Sequence, residues 1–349
     1  MNKKLIFQVA ATYIGAVMGA GFASGQEIQQ FFISFGKKGL LGIGTSALLF
    51  AIFGYIMLDL QKSWQVSSYT EFFQALIGKK WGSKIDILIS ILLFIGMMAM
   101  LSGTGAVFQQ YLDLSPWIGT LLTAVVIALA LWYKGEGVLW INSALIPIKF
   151  IFCFGIALLA ILFMEGTKNI SVDNIANPLV GHYLFSSILY VSFNLTIAMV
   201  VFASLGKDVQ KSEGLFGAAL GGLGLGLFAS IIGLSLLKFP EVQNYEIPMV
   251  VVAGKLGSWW AFFYVVVLWL AMLTAAIGNG FSLVSHFEKK YNMNYRKVAL
   301  ILLIIVIPLA GIKFSLIVKI VYPLFGYLGL IFLPFLLLNW IKNRILLPK

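Results

Sequence analysis

Charge is scarce in this sequence. Only 11% of its 349 residues are Asp, Glu, Lys or Arg, 60% are hydrophobic, and the mean hydropathy is +0.98. A soluble chain carries about 25% charged residues, and a water-facing surface cannot be built from so few. A single cysteine, Cys153, excludes an intrachain disulfide. The two histidines, His182 and His286, belong near opposite membrane faces, and Cys153 has no neighbour with which to form a nucleophilic pair. No catalytic constellation, metal-ligand cluster or GxxxxGK[ST] phosphate loop is present. The sequence therefore implies no enzyme, no cofactor, no bound metal and no ATP-driven pump. The net charge of +11 comes from Lys and Arg in short loops between apolar runs. That distribution is a topology signal and not a nucleic-acid-binding face. The first apolar stretch has no small-residue cleavage site and reads as a span, not a leader.

What is present is a series of apolar stretches, most of them near the roughly 20 residues that cross a bilayer. They lie near 5–33, 39–60, 85–111, 115–133, 138–163, 181–204, 214–237, 256–286, 297–311 and 314–340. The expected fold is an all-α integral membrane protein with ten transmembrane helices. With the N-terminus in the cytoplasm, 16 Lys and Arg residues fall in cytoplasmic segments and 6 outside. The positive-inside rule then puts both termini in the cytoplasm of a cell membrane. Two longer connections, 61–84 and 238–255, read as a cytoplasmic amphipathic helix and an external helical loop. They occupy matching positions if residues 1–164 and 165–349 are two five-helix repeats inverted relative to each other. Each can also be read alone as an interfacial helix.

The first span carries glycines at 15, 19, 21 and 25, followed by polar residues. Each glycine costs a helix about 1 kcal/mol relative to alanine. Gly15 and Gly19 also fit a GxxxG packing face, so close packing is one reading and unwinding the other. Concentration at one depth favours unwinding near mid-bilayer, as in transporters with interrupted helices. Span 7 (214–237) has small residues along its whole length and reads as a packing face. In span 6, Ser192, Asn194 and Thr196 within five residues suggest a second interruption, with interhelical hydrogen bonding as the alternative.

These residues resemble the LeuT-type 5+5 inverted-repeat fold of the amino acid–polyamine–organocation superfamily, with helices 1 and 6 interrupted, and among bacterial membrane proteins the YkvI type. Gly15-Ala16-Val17-Met18-Gly19-Ala20-Gly21 is similar to the helix-1 break of that fold. Leu273-Thr274-Ala275-Ala276-Ile277-Gly278 resembles a span-8 stretch that carries a sodium-binding Thr-Ser pair in sodium-coupled members. The resemblance implies an ion site from the carbonyls of Gly15, Met18 and Ala271 with the Thr274 hydroxyl. The serine of the pair is Ala275 here, and the asparagines of a second sodium site correspond to Ala16 and Phe22. Sodium needs oxygen ligands, so coupling to sodium is disfavoured.

Few charges lie deep in the spans. A charge at a helix centre costs about 2.5–3.5 kcal/mol on insertion scales and is a functional candidate by default. Lys149 sits mid-span in span 5. Some proton-coupled superfamily members have a lysine there whose ammonium occupies the sodium position, which implies proton coupling; a static ammonium bonded to helix-1 carbonyls is the alternative. Glu27 and Lys319 lie at the outer ends of spans 1 and 10 and are a candidate gate, or two independent residues. Candidate substrate contacts are Gly19, Ala20, Gly21 and Ser24 at the helix-1 break, Ser102 and Thr104 in span 3, and Ser192 and Asn194 in span 6. The implied function is proton-coupled symport of a small amino acid or similar zwitterion by alternating access. The alternative is a membrane sensor that binds a small solute on the same fold.

Overall fold

The computed structural model describes residues 2–66, 68–133, 136–167, 177–204 and 212–346. Among them every regular element is a helix. In order these are α1 (Lys3–Val17), α2 (Ala20–Ala23), α3 (Gln26–Phe31), α4 (Lys38–Trp64), α5 (Tyr69–Ile77), α6 (Lys79–Gly82), α7 (Ile85–Leu112), α8 (Pro116–Trp132) and α9 (Glu136–Phe163). They continue as α10 (Tyr183–Ser204), α11 (Ser212–Lys238), α12 (Pro248–Leu256), α13 (Ser258–Tyr291), α14 (Tyr295–Leu309), α15 (Phe314–Leu316), α16 (Tyr322–Leu330) and α17 (Phe332–Ile341). Six described segments are long and apolar enough to cross a membrane: Lys38–Trp64, Lys79–Leu112, Tyr183–Phe202, Ser212–Lys238, Ser258–Tyr291 and Phe314–Arg344. Pro116–Trp132 and Ile148–Phe163 are shorter apolar helices. Of the basic residues that set the expected orientation, Lys134, Lys168, Lys207, Lys211 and Lys349 lie outside the described residues.

The glycines of α11 work as a packing face. A Cβ on Gly217 would meet the Ile6 backbone of α1, one on Gly222 the Phe50 and Ala51 backbone of α4, and one on Gly226 the Ala47 side chain. Without a hydrophobic drive between helices in lipid, this close approach is what holds α1, α4 and α11 together.

Both longer connections are helical. In the first, Ser68 caps α5 by accepting the Glu71 N–H at 3.2 Å, and α5 buries Phe72, Phe73 and Leu76. The second holds a short 3-10 turn at Pro240–Asn244 and then α12, which starts on Pro248, where a missing N–H is harmless. This connection is pinned at several points. The Gln110 side chain donates to the Ile247 carbonyl at 2.9 Å and accepts the Ile247 N–H at 3.0 Å. The Glu246 carboxylate accepts the backbone N–H and hydroxyl of Ser315, each at 2.7 Å. At the chain's other end, buried Asp59 of α4 accepts two bonds from Arg344 and one from Trp340 Nε1, a bidentate pair that fastens the last helix to α4.

Span 6 is not interrupted. α10 runs continuously from Tyr183 to Ser204, because its polar residues are satisfied inside the helix. Ser192 Oγ donates to the Ile188 carbonyl at 2.6 Å, Asn194 Nδ2 to Tyr190 at 3.0 Å, and Thr196 Oγ1 to Ser192 at 2.9 Å. Back-bonding of this kind removes the need for unwinding, and α10 has no glycine to make unwinding cheap. The last span is irregular instead. It contains a wide π-turn at Ile317–Val321, and Pro323, lacking an N–H, leaves the Lys319 carbonyl four residues back without its helical donor. Asn177 Nδ2 donates to that carbonyl at 2.5 Å.

The Glu241–Lys255 pair in the 238–256 connection gives a pH test. Lys255 Nζ lies 2.6 Å from the Glu241 carboxylate, and the Thr167 hydroxyl donates to it at 2.9 Å. Burial pushes the Glu241 carboxyl up, but hydrogen bonds from Lys255, its own backbone and Thr167, with the Lys255 charge, outweigh it and hold the group below the usual value. A depressed folded-state value means stability that is complete above about pH 4.5 and lost as pH falls through the folded value. Glu241→Gln should lower the thermal midpoint slightly at pH 7, with the difference from wild type shrinking as pH falls below 4.5 and through the folded value. A gap that stays equal over that range contradicts this.

Candidate functional site

The first helical run is opened twice. α1 stops at Val17, and Met18 (ψ 73°) and Gly19 (ψ −175°) leave the helical path before α2 begins. A Cβ on Gly19 would meet nothing within 4 Å, so Gly19 faces open space and is not a packing contact. Gly25 then turns the chain with φ +83°, a left-handed conformation natural to glycine, and a Cβ there would press on Met249.

Breaking a helix in hydrocarbon strands polar backbone atoms that must find partners in the protein. The Gly21 carbonyl accepts the Ser24 hydroxyl at 2.8 Å. The Ala23 carbonyl accepts the Tyr264 hydroxyl of α13 at 2.5 Å, and at the far end of α3 the Phe31 carbonyl accepts the Ser186 hydroxyl of α10 at 2.5 Å. The Ser24 carbonyl accepts the Met249 N–H of α12 at 3.1 Å.

At the break lies a cavity of about 420 Å³. It brings together Gly15, Met18, Gly19, Ala20 and Gly21 of the first run, Asn194 of α10, Lys149 of α9 and Ala271 of α13, with Glu27 reaching in from α3. Its wall uses Ile89 to Met100 of α7, Phe193 to Val201 of α10 and Ala271 to Asn279 of α13. The cavity thus extends toward the membrane side that holds the Ile85 end of α7 and the Tyr291 end of α13. On the opposite side the 240–256 connection closes over Ser24 and Gly25.

Other expected site residues point elsewhere. Ser24 is fully buried, with its hydroxyl used inside the turn, where it also accepts the Gln26 N–H at 3.2 Å. Ser102 Oγ donates to the Ile312 carbonyl at 2.5 Å, Thr104 Oγ1 to Leu101 at 2.7 Å, and Ser192 bonds back into α10. The Thr274 hydroxyl donates to the Leu270 and Ala271 carbonyls of its own helix and does not line the cavity, whereas Ala275, where the resemblance expects serine, does. Glu27 and Lys319 do not pair in this structure. Glu27 faces the cavity at the break, and Lys319 lines a separate cavity of about 280 Å³ with Gln26, Gln243 and Lys313. The consecutive residues Gln26 and Glu27 of α3 therefore line different cavities. Asn279, Thr196, Tyr322 and Cys153 also line the cavity at the break, though none was among the expected site residues. Asn279 stands between Gly278 and Gly280 in mid-span, a signal of the same kind as that in span 1. No group of three or more His, Cys, Asp or Glu among the described residues could hold a metal ion.

The chain aligns with the Bacillus subtilis membrane protein YkvI at 29% identity over 341 residues, 97% of this chain and 96% of YkvI. Its homologues are YkvI-type membrane proteins. Bacillus subtilis YyaD is likewise 29% identical over 335 residues, 95% of this chain and 96% of YyaD. No family model matches the chain. Among solved structures, Mhp1 in an inward-facing conformation superposes with a TM-score of 0.65 at 12% identity, over 98% of this chain and 76% of Mhp1. MhsT in complex with L-phenylalanine gives 0.59 at 16% identity, over 96% and 87%. A Na+-coupled sialic acid symporter gives 0.54 at 15%, over 97% and 78%. This multi-pass membrane protein has the LeuT-type fold, which those transporters share.

The two glycines at the ends of the break should respond differently to alanine. Gly19→Ala meets open space at a negative φ and should leave the thermal midpoint of detergent-purified protein close to wild type. Gly25→Ala should destabilise by about 1–2 kcal/mol from the left-handed backbone alone. Equal effects would contradict the assigned conformations.

Proposed function

We propose that this protein is a proton-coupled secondary transporter that moves a small amino acid or similar zwitterion across the bacterial cytoplasmic membrane by alternating access. In this reading ten spans form two inverted five-helix repeats, residues 1–164 and 165–349, with both termini in the cytoplasm. The matched placement of α5 after α4 and of α12 after α11 supports the repeat. The carrying observation is the cavity at the broken helix, closed toward the 240–256 connection and extending toward the other face, with Lys149 and Glu27 in its wall. That arrangement suits an inward-facing state, in keeping with the likeness to inward-facing Mhp1.

Lys149 is the coupling group in this reading. It shares the cavity with the Gly15 and Met18 region and with Ala271, where the resemblance puts a sodium ion, and Ala275 offers no hydroxyl. A lysine amine that takes up a proton to become an ammonium, and later releases it, replaces the cation that the site cannot ligate. Gly19, Ala20, Gly21 and Asn194 form the substrate pocket around it. The other coupling and substrate contacts expected from sequence, Thr274, Ser24, Ser102, Thr104 and Ser192, would support the site through backbone and helix contacts.

Uptake of labelled amino acids into proteoliposomes, with proton and sodium gradients imposed separately, tests this. An inward proton gradient should drive accumulation, and Lys149→Gln should reduce it to the background of empty liposomes. Accumulation driven by sodium at clamped pH, or a Lys149→Gln protein that concentrates substrate like wild type, would contradict the coupling. Binding without uptake under either gradient would favour a sensor on the same fold.

A further inference from the structure

Glu27 is a carboxylate in an unusual place. Its residue is only 4% exposed, and it faces the cavity from the half of the first run that lies beyond the break. The αL turn at Gly25 folds α3 so that the Glu27 side chain returns against Gly21, where even an added methyl carbon would overlap it. Among the described residues its hydrogen-bond donor is the Tyr190 hydroxyl at 3.3 Å. A carboxylate removed from water is costly unless a cation or several donors face it.

The wall that Glu27 shares includes aromatic rings. Phe193 and Tyr322 stand 4.6 Å apart at 32°, and both line the cavity with Phe325. Aromatic faces within about 6 Å attract cations, most strongly away from water, and a carboxylate beside such faces is the chemistry that recognises substituted ammonium groups. An inorganic cation is served poorly, because hard ions need several oxygen ligands and this wall is largely carbon. A substrate carboxylate beside Gly21 would instead meet the carboxyl oxygens of Glu27.

From this geometry we infer that Glu27, with Phe193, Tyr322 and Phe325, forms the subsite for the ammonium group of the transported solute. Glu27 is then a substrate-binding residue and not half of an outer gate. The inference rests on the cavity being the solute site, but not on transport taking place.

Ligand-induced shifts in the thermal midpoint of the purified full-length protein test it. Three probes share one carbon skeleton: L-leucine, 3-methylbutylamine without the carboxylate, and 4-methylpentanoate without the amine; sodium chloride serves as a fourth. The two amine-bearing probes should stabilise the wild type and 4-methylpentanoate should not. Glu27→Gln, close to isosteric, should bind the amines about tenfold more weakly or worse, and Phe193→Leu should weaken them less. The inference is overturned if 4-methylpentanoate binds wild type as well as L-leucine does, or if neither amine binds. Amine affinity unchanged in Glu27→Gln would also overturn it, as would a sodium shift, without any amine shift, that Glu27→Gln abolishes. The comparison of probes on wild type stands even if the variant misfolds. Glu27-dependent binding without proteoliposome uptake would keep this subsite and remove transport; uptake with binding indifferent to Glu27 would do the reverse.

Discussion

A backbone polar group inside hydrocarbon must be paired by the protein itself, and the organisation around the first helical run follows from that constraint. Opening the helix at Met18–Gly19 and again at Gly25 releases carbonyls that water cannot reach. Tyr264 of α13 and the Met249 N–H of α12 come to two of them, and Ser186 of α10 takes the Phe31 carbonyl where α3 ends. Together these bonds draw three distant parts of the chain onto the first helical run. Their convergence shapes the cavity and seals one of its ends.

The constraint also separates the broken helix from the intact ones. In α10 the polar side chains turn back to carbonyls of their own helix, and the helix survives. In the last span, Pro323 frees one carbonyl, which Asn177 takes up. Polarity alone does not unwind a membrane helix; glycine or proline must also remove the local reason to stay wound. The first run has that combination, and α10 does not.

This explains what could be read from the sequence. The membrane class followed from the shortage of charge, and the interruption of the first span from Gly19, Gly21 and Gly25 at one depth. The packing role of the α11 glycines was legible for the same reason, since small residues along a whole span have no other use in lipid. The interruption of span 6 was misread because Ser192, Asn194 and Thr196 have two ways to be satisfied, and only the fold shows that they use the local one. Ser102 and Thr104 were candidates as polar residues of span 3, yet polarity says nothing about which way a helix face turns. The position of Glu27 depends on the αL turn at Gly25, a backbone dihedral that the sequence permits but does not announce.

The central claim is that the two sides of the membrane gain access to one cavity in turn. Distances between spin labels measure this directly in a Cys153→Ala background, in lipid nanodiscs. One pair, Lys62→Cys with Lys84→Cys, spans α4 and α7 on the side toward which the cavity extends. A second, Lys38→Cys with Leu112→Cys, spans the same helices on the closed side. Varying pH and adding L-leucine should populate a second distance on both pairs, shorter on the first and longer on the second. A single unchanged distance on both pairs under every condition would contradict alternating access.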